Sequence, residues 1–204
     1  MKRIPLTAAH REKLAAFGLH DLPSSACTCL RFAPGEMVSQ EGHPLPWLAL
    51  VVEGRAKVCR TASNGKSLIL CYYVSDGLIG GIELMTQHEE AIASVIALSD
   101  FECIAIPYHI CQRERQTNLV FMDKLAALLA QNLADSSADY AAASLNSGEQ
   151  RLCSYILRAS YQDVFRDVLT DVACSIGMSY RHMFRLLGQL CTDGILEKRK
   201  EGYY

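Results

Sequence analysis

The sequence predicts an α+β protein built from three successive parts: a β-barrel or jelly roll, one long helix, and a C-terminal winged helix-turn-helix. Three observations support this prediction. Turn signals recur about every ten residues through the first half of the chain, an almost unbroken helical pattern follows, and two short helices hinged at a glycine lie near the C-terminus. We place the three parts at residues 1–117, 118–146 and 147–204.

The composition is typical of a folded protein, since 50% of the 204 residues are hydrophobic. No apolar run reaches the roughly 18 residues that a membrane-spanning helix needs, and the first residues do not resemble a signal peptide. We therefore expect a cytoplasmic protein that does not contact a membrane. The net charge is only −2, so any contact with nucleic acid depends on a local basic patch.

The first part begins with an amphipathic helix from Thr7 to Phe17, which Gly18 ends. From Cys27 to about Ile106 the pattern changes to short strands such as Leu48–Val52, Leu68–Val74 and Ala93–Leu98. Asn64-Gly65 is the strongest hairpin signal, because both residues tolerate positive φ. Other turn signals separate the remaining strands: Pro34-Gly35-Glu36, Glu41-Gly42, Glu53-Gly54, Ser75-Asp76-Gly77 and Ser99-Asp100.

The long helix runs from about Asn118 to Asn146 and carries a heptad stripe. Leu125 and Leu128 lie beside the stripe and are expected to pack on the barrel. A helix buried only within its own chain is one interpretation, but the spacing favours a parallel dimer. The predicted dimer seam consists of Met122, Ala126, Leu129, Leu133, Ser136, Tyr140 and Ala143.

The helix-turn-helix occupies Thr170 to Leu190. We expect Thr170 to cap its first helix, small Ala173 to allow close approach, Gly177 to supply a left-handed turn residue, and Ser179 to cap the second helix. A new amphipathic helix from Gln150 to Ala159 leads into this motif. The second helix has a predicted buried face of Met183, Leu186, Leu187 and Leu190, opposite Tyr180, Arg181, Phe184 and Arg185.

The chain after Asp193 predicts a turn, a strand, a tight turn and a returning strand, which makes the motif a winged helix. Two arginines one turn apart near a helix N-terminus suit the major groove of DNA, where a guanidinium can form a fork with guanine acceptors. An ordinary helical hairpin with solvated arginines is the alternative. The candidate DNA-binding residues are Thr170, Ser179, Tyr180, Arg181, His182, Arg185, Lys198 and Lys200.

The order of barrel, long helix and winged helix resembles the Crp/Fnr family of bacterial transcription regulators, which includes the catabolite activator protein. The resemblance covers nearly the whole chain. It rests on these motifs: Phe32-x-Pro34-Gly35-Glu36, Glu53-Gly54-x-Ala56, Leu78-Ile79-Gly80-Gly81-Ile82-Glu83-Leu84, Asp171-x-Ala173, Gly177-x-Ser179-x-x-His182-x-x-Arg185 and Gly194-Ile195-Leu196. It implies a cyclic-nucleotide-binding-like barrel, a homodimer, a palindromic double-stranded operator and, for an activator, contact with RNA polymerase.

The resemblance also implies an effector pocket, but the cyclic-nucleotide motif is disturbed. Gly81 stands where the family has its ribose-binding glutamate, and Ala91-Ile92 stand where it has the phosphate-binding Arg-Ser pair. A buried phosphate without its guanidinium would cost several kcal/mol, so we expect a different, unidentified effector. The expected effector residues are Gly80, Gly81, Glu83, Leu84, Ala91, Ile92, Ser136 and Ser137.

Nine cysteines invite comparison with the oxygen-sensing branch of the family, which holds an iron-sulfur cluster on thiolates. Only Cys27 and Cys29 are closely spaced, so a direct copy of that site is not expected. As strand residues two apart they would share a face and could form a thiol switch. The histidines show no spacing suited to a catalytic metal, and we predict no metal.

Three functional classes therefore remain: a homodimeric DNA-binding regulator, which we favour, a ligand- or redox-sensing module without specific DNA readout, and a cupin-like enzyme. We do not expect an enzyme, because no nucleophilic or metal-ligand constellation stands out.

Overall fold

The computed structural model describes residues 1–61, 67–74, 77–160, 163–200 and 202–204. Its strands are β1 (Lys2–Ile4), β2 (Thr28–Phe32), β3 (Met37–Ser39), β4 (Trp47–Glu53), β5 (Arg55–Thr61), β6 (Ser67–Val74), β7 (Leu78–Ile79), β8 (Ser94–Ala97), β9 (Phe101–Pro107), β10 (Lys198–Arg199) and β11 (Gly202–Tyr203). Its α-helices are α1 (Ala8–Ala16), α2 (Gly81–Thr86), α3 (Tyr108–Thr117), α4 (Leu119–Leu145), α5 (Gly148–Ala159), α6 (Leu169–Ser175) and α7 (Tyr180–Thr192).

The first nine strands form two antiparallel sheets, which confirms the predicted barrel or jelly roll. One sheet has the order β1-β2-β9-β4-β7 and the other β3-β8-β5-β6. Strand β9 lies at the centre of the first sheet, where Ile104 pairs with Cys29 on one side and with Leu50 on the other. The expected Asn64-Gly65 hairpin and Ser75-Asp76 turn lie outside the described residues.

Successive side chains along the strands point to opposite faces of the sheet and so form two separate apolar clusters. Ala49 and Val51 of β4 belong to a cluster shared by both sheets, which fills the space between them. Leu48 and Leu50 point the other way, into a second cluster that joins the outer face of the first sheet to the helices. Leu125 of α4 is fully buried in this outer cluster, as the sequence predicted, and Leu128 packs against it.

Helix α1 is fixed at its start by a buried histidine. The Thr7 backbone amide donates to Nδ1 of His10 at 3.2 Å, which forms a capping box with histidine in the place of the usual glutamate or glutamine. An amide can only donate, so Nδ1 accepts and the neutral ring carries its proton on Nε2. That nitrogen lies 3.7 Å from Oε2 of Glu102 on β9.

Helix α4 spans 27 residues, from Leu119 to Leu145, and confirms the predicted long helix. Asn118 separates it from α3, and the Asn118 Oδ1 accepts from the Phe121 amide at 3.0 Å. The same side chain donates from Nδ2 to the Gly18 carbonyl at 2.8 Å, which ties the start of α4 to the end of α1. None of the helices in the described ranges is long and apolar enough to cross a membrane.

The chain divides into two compact units, one of residues 1–60 and 71–135 and the other of residues 61–70 and 136–204. In the second unit, α5 begins at Gly148 rather than at Gln150, because Ser147 caps it and Gln150 bonds back to the Ser147 amide at 2.9 Å. The three-part division at residues 117 and 146 stays a prediction.

Helices α6 and α7 form the helix-turn-helix, and β10 and β11 form the wing. Tyr203 of β11 pairs with Lys198 on one side and exchanges backbone hydrogen bonds with Phe165 on the other, at 2.8 and 3.0 Å. The Phe165 ring is buried against Tyr203 and Tyr155. The wing is therefore anchored to the core of its unit by one aromatic cluster.

Candidate nucleic-acid interface and effector site

The turn between α6 and α7 orients the second helix. Gly177 has φ +60°, and its amide donates to the Cys174 carbonyl. Ser179 Oγ then accepts from the His182 amide at 3.2 Å, which caps α7 as predicted. The predicted cap at Thr170 is wrong, because α6 begins two residues earlier than that cap implies, at Leu169 with Val168 as its N-cap. Thr170 lies exposed in the first turn of α6.

Helix α7 has one buried and one exposed face, as its spacing predicted. Its buried residues are Met183, Leu186, Leu187 and Leu190, while Tyr180, Arg181, His182, Phe184 and Arg185 are exposed. Arg185 Nη2 lies 3.2 Å from His182 Nδ1. A guanidinium can only donate, so His182 accepts and restrains the Arg185 fork.

Aromatic side chains lie among these cations. The Tyr180 and Phe184 rings stack with centroids 6.0 Å apart and an interplanar angle of 21°. Lys198 Nζ of the wing lies 5.7 Å from the Phe184 ring centre. The sequence predicted both rings on the exposed face, and their four-residue spacing was the available signal for the ring–ring contact. The contact between the helix and the wing had no such signal, because Lys198 is distant in sequence.

The wing carries three successive cations, Lys198, Arg199 and Lys200, all exposed. Arg199 contacts its own neighbours in the wing. Its guanidinium bonds to Glu197 at 2.6 Å and lies 4.5 Å from the Tyr204 ring centre. The hydrogen bond between Arg199 and Glu197 raises the pKa of Arg199 and lowers the pKa of Glu197. The arrangement leaves Lys198 and Lys200 as the wing residues suited to contact phosphates.

The predicted effector segment, residues 80–92, contains α2 and the loop that follows it. Gly80 adopts φ +84°, and its carbonyl accepts from the Tyr108 hydroxyl at 2.9 Å. A Cβ at this position would lie 2.6 Å from that hydroxyl and 2.8 Å from the Trp47 carbonyl oxygen. Gly81 is also packed, against Leu78 and Leu129, and Leu84 belongs to the outer cluster.

Glu83 points inward from α2 and is only 6% exposed. Its Oε1 accepts from the Ile92 amide at 3.0 Å, while Ala91 exchanges backbone bonds with the loop at Gly42 and His43. The carboxylate therefore holds the chain at Ile92, one of the two positions where the resemblance places the phosphate-binding pair, and backbone bonds hold the other, Ala91. A buried carboxylate bonded there opposes an anionic ligand.

A pocket of about 680 Å³ opens beside Glu83. Its polar lining includes Glu83, His88, Glu89, Tyr108 and Gln112. Burial, reinforced by the Glu83 charge, raises the pKa of the Tyr108 hydroxyl, which stays protonated. Among the described residues that line this pocket, two are carboxylates and none is lysine or arginine, so the pocket suits a ligand that donates hydrogen bonds or carries positive charge. Ser136 and Ser137 are exposed residues of α4 in the second unit, and their effector role stays a prediction.

Cys27 and Cys29 share a face as predicted, since both contact the outer cluster. Burial raises the pKa of the Cys27 thiol. Burial, with the neighbouring Cys27 and Glu102, raises the pKa of Cys29 to about 11. Reactive cysteines usually have a lowered pKa, so this environment does not favour a thiol switch. In the described part of the chain, no three His, Cys, Asp or Glu side chains are placed to hold a metal.

The predicted dimer seam divides into two sets of residues. Met122 and Leu129 are half-buried against the outer cluster of their own chain. Ala126, Leu133, Ser136 and Tyr140 are exposed, with Leu133 69% and Tyr140 77% exposed; the Ala143 side chain lies outside the described residues. Among the described seam residues, the exposed set is the part of the helix surface that a second copy could contact.

Comparisons with known proteins agree with this architecture. Residues 29–118 match the cyclic nucleotide-binding domain. The regulatory protein YeiL of Escherichia coli O157:H7 is 29% identical over 176 residues, which cover 84% of this chain and 78% of that protein.

Solved structures share the fold. The c-di-GMP-responsive global regulator CLP of Xanthomonas campestris superposes with a TM-score of 0.73 at 19% identity, covering 88% of this chain and 93% of that one. A Crp/Fnr-family regulator from Eubacterium rectale gives a TM-score of 0.76 at 15% identity, covering 90% and 87%. Residues 29–118 are therefore similar to the cyclic nucleotide-binding domain, and the chain has the fold of the Crp/Fnr-family transcription regulators.

Proposed function

We propose that this chain is a homodimeric, sequence-specific DNA-binding transcription regulator of the Crp/Fnr type, controlled by an effector other than a cyclic nucleotide. The observation that carries the proposal is α7, a capped helix whose exposed face presents Arg181 and Arg185 beside a basic wing. An exposed arginine pair on the second helix of a winged helix-turn-helix suits guanine recognition in the major groove.

A binding selection on randomised duplexes tests this proposal. Wild type should select an inverted repeat with half-sites about one helical turn apart. Arg185→Ala and Arg181→Ala should each relax one base position and cost about 1–3 kcal/mol of binding free energy. Lys200→Ala is the matched control, because loss of a phosphate contact weakens all sequences alike and lowers the salt dependence. If neither arginine variant changes the selected motif, α7 does not read bases.

The dimer is proposed to form through the exposed seam residues of α4. Leu133→Glu should dissociate it with little change in the stability of each chain, because Leu133 is largely exposed. Ala127→Glu adds the same charge at an exposed position on the other side of the helix and should leave the dimer intact. Light scattering decides; a dimeric Leu133→Glu variant would remove α4 from the interface. Leu129 is a poor test site, because it also packs on its own barrel.

The proposed effector differs from a cyclic nucleotide because Glu83 holds the Ile92 amide and no guanidinium occurs at residues 91–92. Calorimetric titration with cyclic AMP and cyclic GMP should give no heat of binding, and saturable micromolar binding of either would refute this part. Mass spectrometry of small molecules that purify with the protein would identify a resident ligand. An effector-binding protein that selects no DNA sequence would instead support the alternative, a sensing module without DNA readout.

A further inference from the structure

The exposed face of α7 carries two parallel rows of side chains. Tyr180 and Phe184 form one row and Arg181 and Arg185 the next, each row with four-residue spacing. Residues four apart lie one above the other on a helix, and successive residues lie about a quarter-turn apart. The N-terminal half of the exposed face therefore carries one aromatic row and one cationic row, with His182 beside them.

The aromatic row is not part of the protein core. Tyr180 and Phe184 are each 47% exposed, whereas the packing residues of α7, such as Met183 and Leu187, are on the opposite face and buried. The two rings stack on each other rather than on the interior. Large apolar groups left at the surface beside clustered cations indicate a binding surface.

The wing holds this row in place. Lys198 Nζ lies 5.7 Å from the Phe184 ring centre and 6.0 Å from that of Tyr203. Such cation–π contacts favour an ammonium over the ring face. The aromatic row is therefore flanked by arginines on the helix and by a lysine on the wing, and positive charge brackets the apolar surface.

We propose that Tyr180 and Phe184 read thymine methyl groups in the major groove. The inference rests on the proposed DNA-binding function and adds a second base to it. The C5-methyl of thymine is the apolar group on the base edges of that groove, and phenylalanine is among the side chains that contact it. Since each aromatic residue immediately precedes an arginine, the half-site should place a thymine next to each guanine that an arginine contacts.

Replacing thymine by uracil tests this, because it removes the methyl and leaves base pairing and hydrogen-bonding groups unchanged. The probe is the duplex selected by the wild-type full-length protein, with single thymines replaced by deoxyuridine and binding followed by fluorescence anisotropy. At one or two thymines per half-site, wild type should lose about four-fold in affinity per methyl group, the value expected for one buried methylene.

At the thymine that Phe184 contacts, Phe184→Ala should bind the thymine and uracil duplexes equally well, while Phe184→Leu should keep part of the preference. Arg185→Ala is the control: it should bind both more weakly and keep the thymine preference. Tyr180→Ala provides a second aromatic variant, and unchanged far-ultraviolet circular dichroism shows that each variant is folded.

Two outcomes overturn the inference for different reasons. Equal wild-type affinity for the thymine and uracil duplexes would refute methyl readout while leaving the proposed regulator intact. Unchanged DNA affinity and preference in Phe184→Ala would mean that the aromatic row faces a protein partner instead. If wild type selects no DNA sequence at all, the proposed function fails and the inference fails with it.

Discussion

Helices α2 and α7 begin in similar ways but use their polar side chains differently. Each follows closely on a glycine with positive φ, Gly80 at +84° and Gly177 at +60°. In α7 the polar and cationic side chains point outward. In α2 Glu83 points inward and bonds to the Ile92 amide. The difference indicates that the exposed polar face of α7 is accessible to a partner, whereas the Glu83 carboxylate beside the pocket already bonds to its own chain.

The largest difference between α2 and α7 is expected when each of the two glycines is replaced by alanine and the free energy of unfolding is measured. At Gly80, left-handed strain adds to overlap with Tyr108 and the Trp47 carbonyl, so Gly80→Ala should lower the free energy of unfolding by roughly 2–4 kcal/mol. At Gly177 nothing lies within 4 Å of the added Cβ, and the strain alone should cost about 1 kcal/mol. Urea unfolding measures both. Equal losses would contradict the idea that only the α2 turn is closely packed.

The reactivity of the Cys29 thiol tests how closely the outer cluster, which also contains Leu84 of α2, is packed. With a pKa of about 11, Cys29 should react with iodoacetamide at pH 7.5 roughly 100-fold more slowly than a free cysteine. Mass spectrometry after timed labelling follows each site, and denatured protein gives the unhindered rate. Rapid native labelling at Cys29 would revive the thiol-switch interpretation.

Substitutions of Glu83 test whether its carboxylate stabilises the fold of its own chain. Glu83→Ala leaves the half-buried Ile92 amide without its acceptor and should cost about 1–3 kcal/mol of folding free energy. Glu83→Gln keeps an acceptor oxygen and should cost less. Thermal or urea unfolding of the pair decides. If the alanine variant is as stable as the glutamine variant, the hydrogen bond at 3.0 Å contributes little, and Glu83 is available for a ligand.

The smallest effect is expected at His10. Burial lowers the pKa of His10 below its ordinary value of 6.5; Glu102 opposes this shift and Arg31 reinforces it. The unfolded chain therefore binds the proton more readily, so stability should be full above about pH 6.5 and fall as the pH drops towards the lower folded pKa. His10→Gln retains the capping box and should remove this share of the pH dependence. An identical pH profile of unfolding would refute it.

More of α7 than of the α2 segment could be predicted from the sequence, for a physical reason. The face of α7, Gly177 and the Ser179 cap are defined by residues within one or two turns, and all were predicted. The cap at Thr170 failed because Val168 has the extended backbone that precedes α6, and capping propensity alone does not show where a helix begins.

Contacts between distant segments could not be predicted. The spacing of Met122 and Leu129 fits a heptad, but their packing on the barrel depends on strands far away in sequence. Glu83 and Ile92 are separated by a loop whose path the composition does not specify. Likewise, nothing near His10 predicts that Glu102 approaches it from β9.

The contact between Lys198 and the Phe184 ring has a consequence for how such a protein can evolve. A change at position 184 alters an apolar surface and also removes the platform under a wing cation. Sequence preference and tolerance of salt would then change together, in one mutational step. Under the proposed DNA-binding function, a substitution at position 184 would exchange one set of target sites for another, while gradual changes of affinity would arise at more isolated positions such as Lys200.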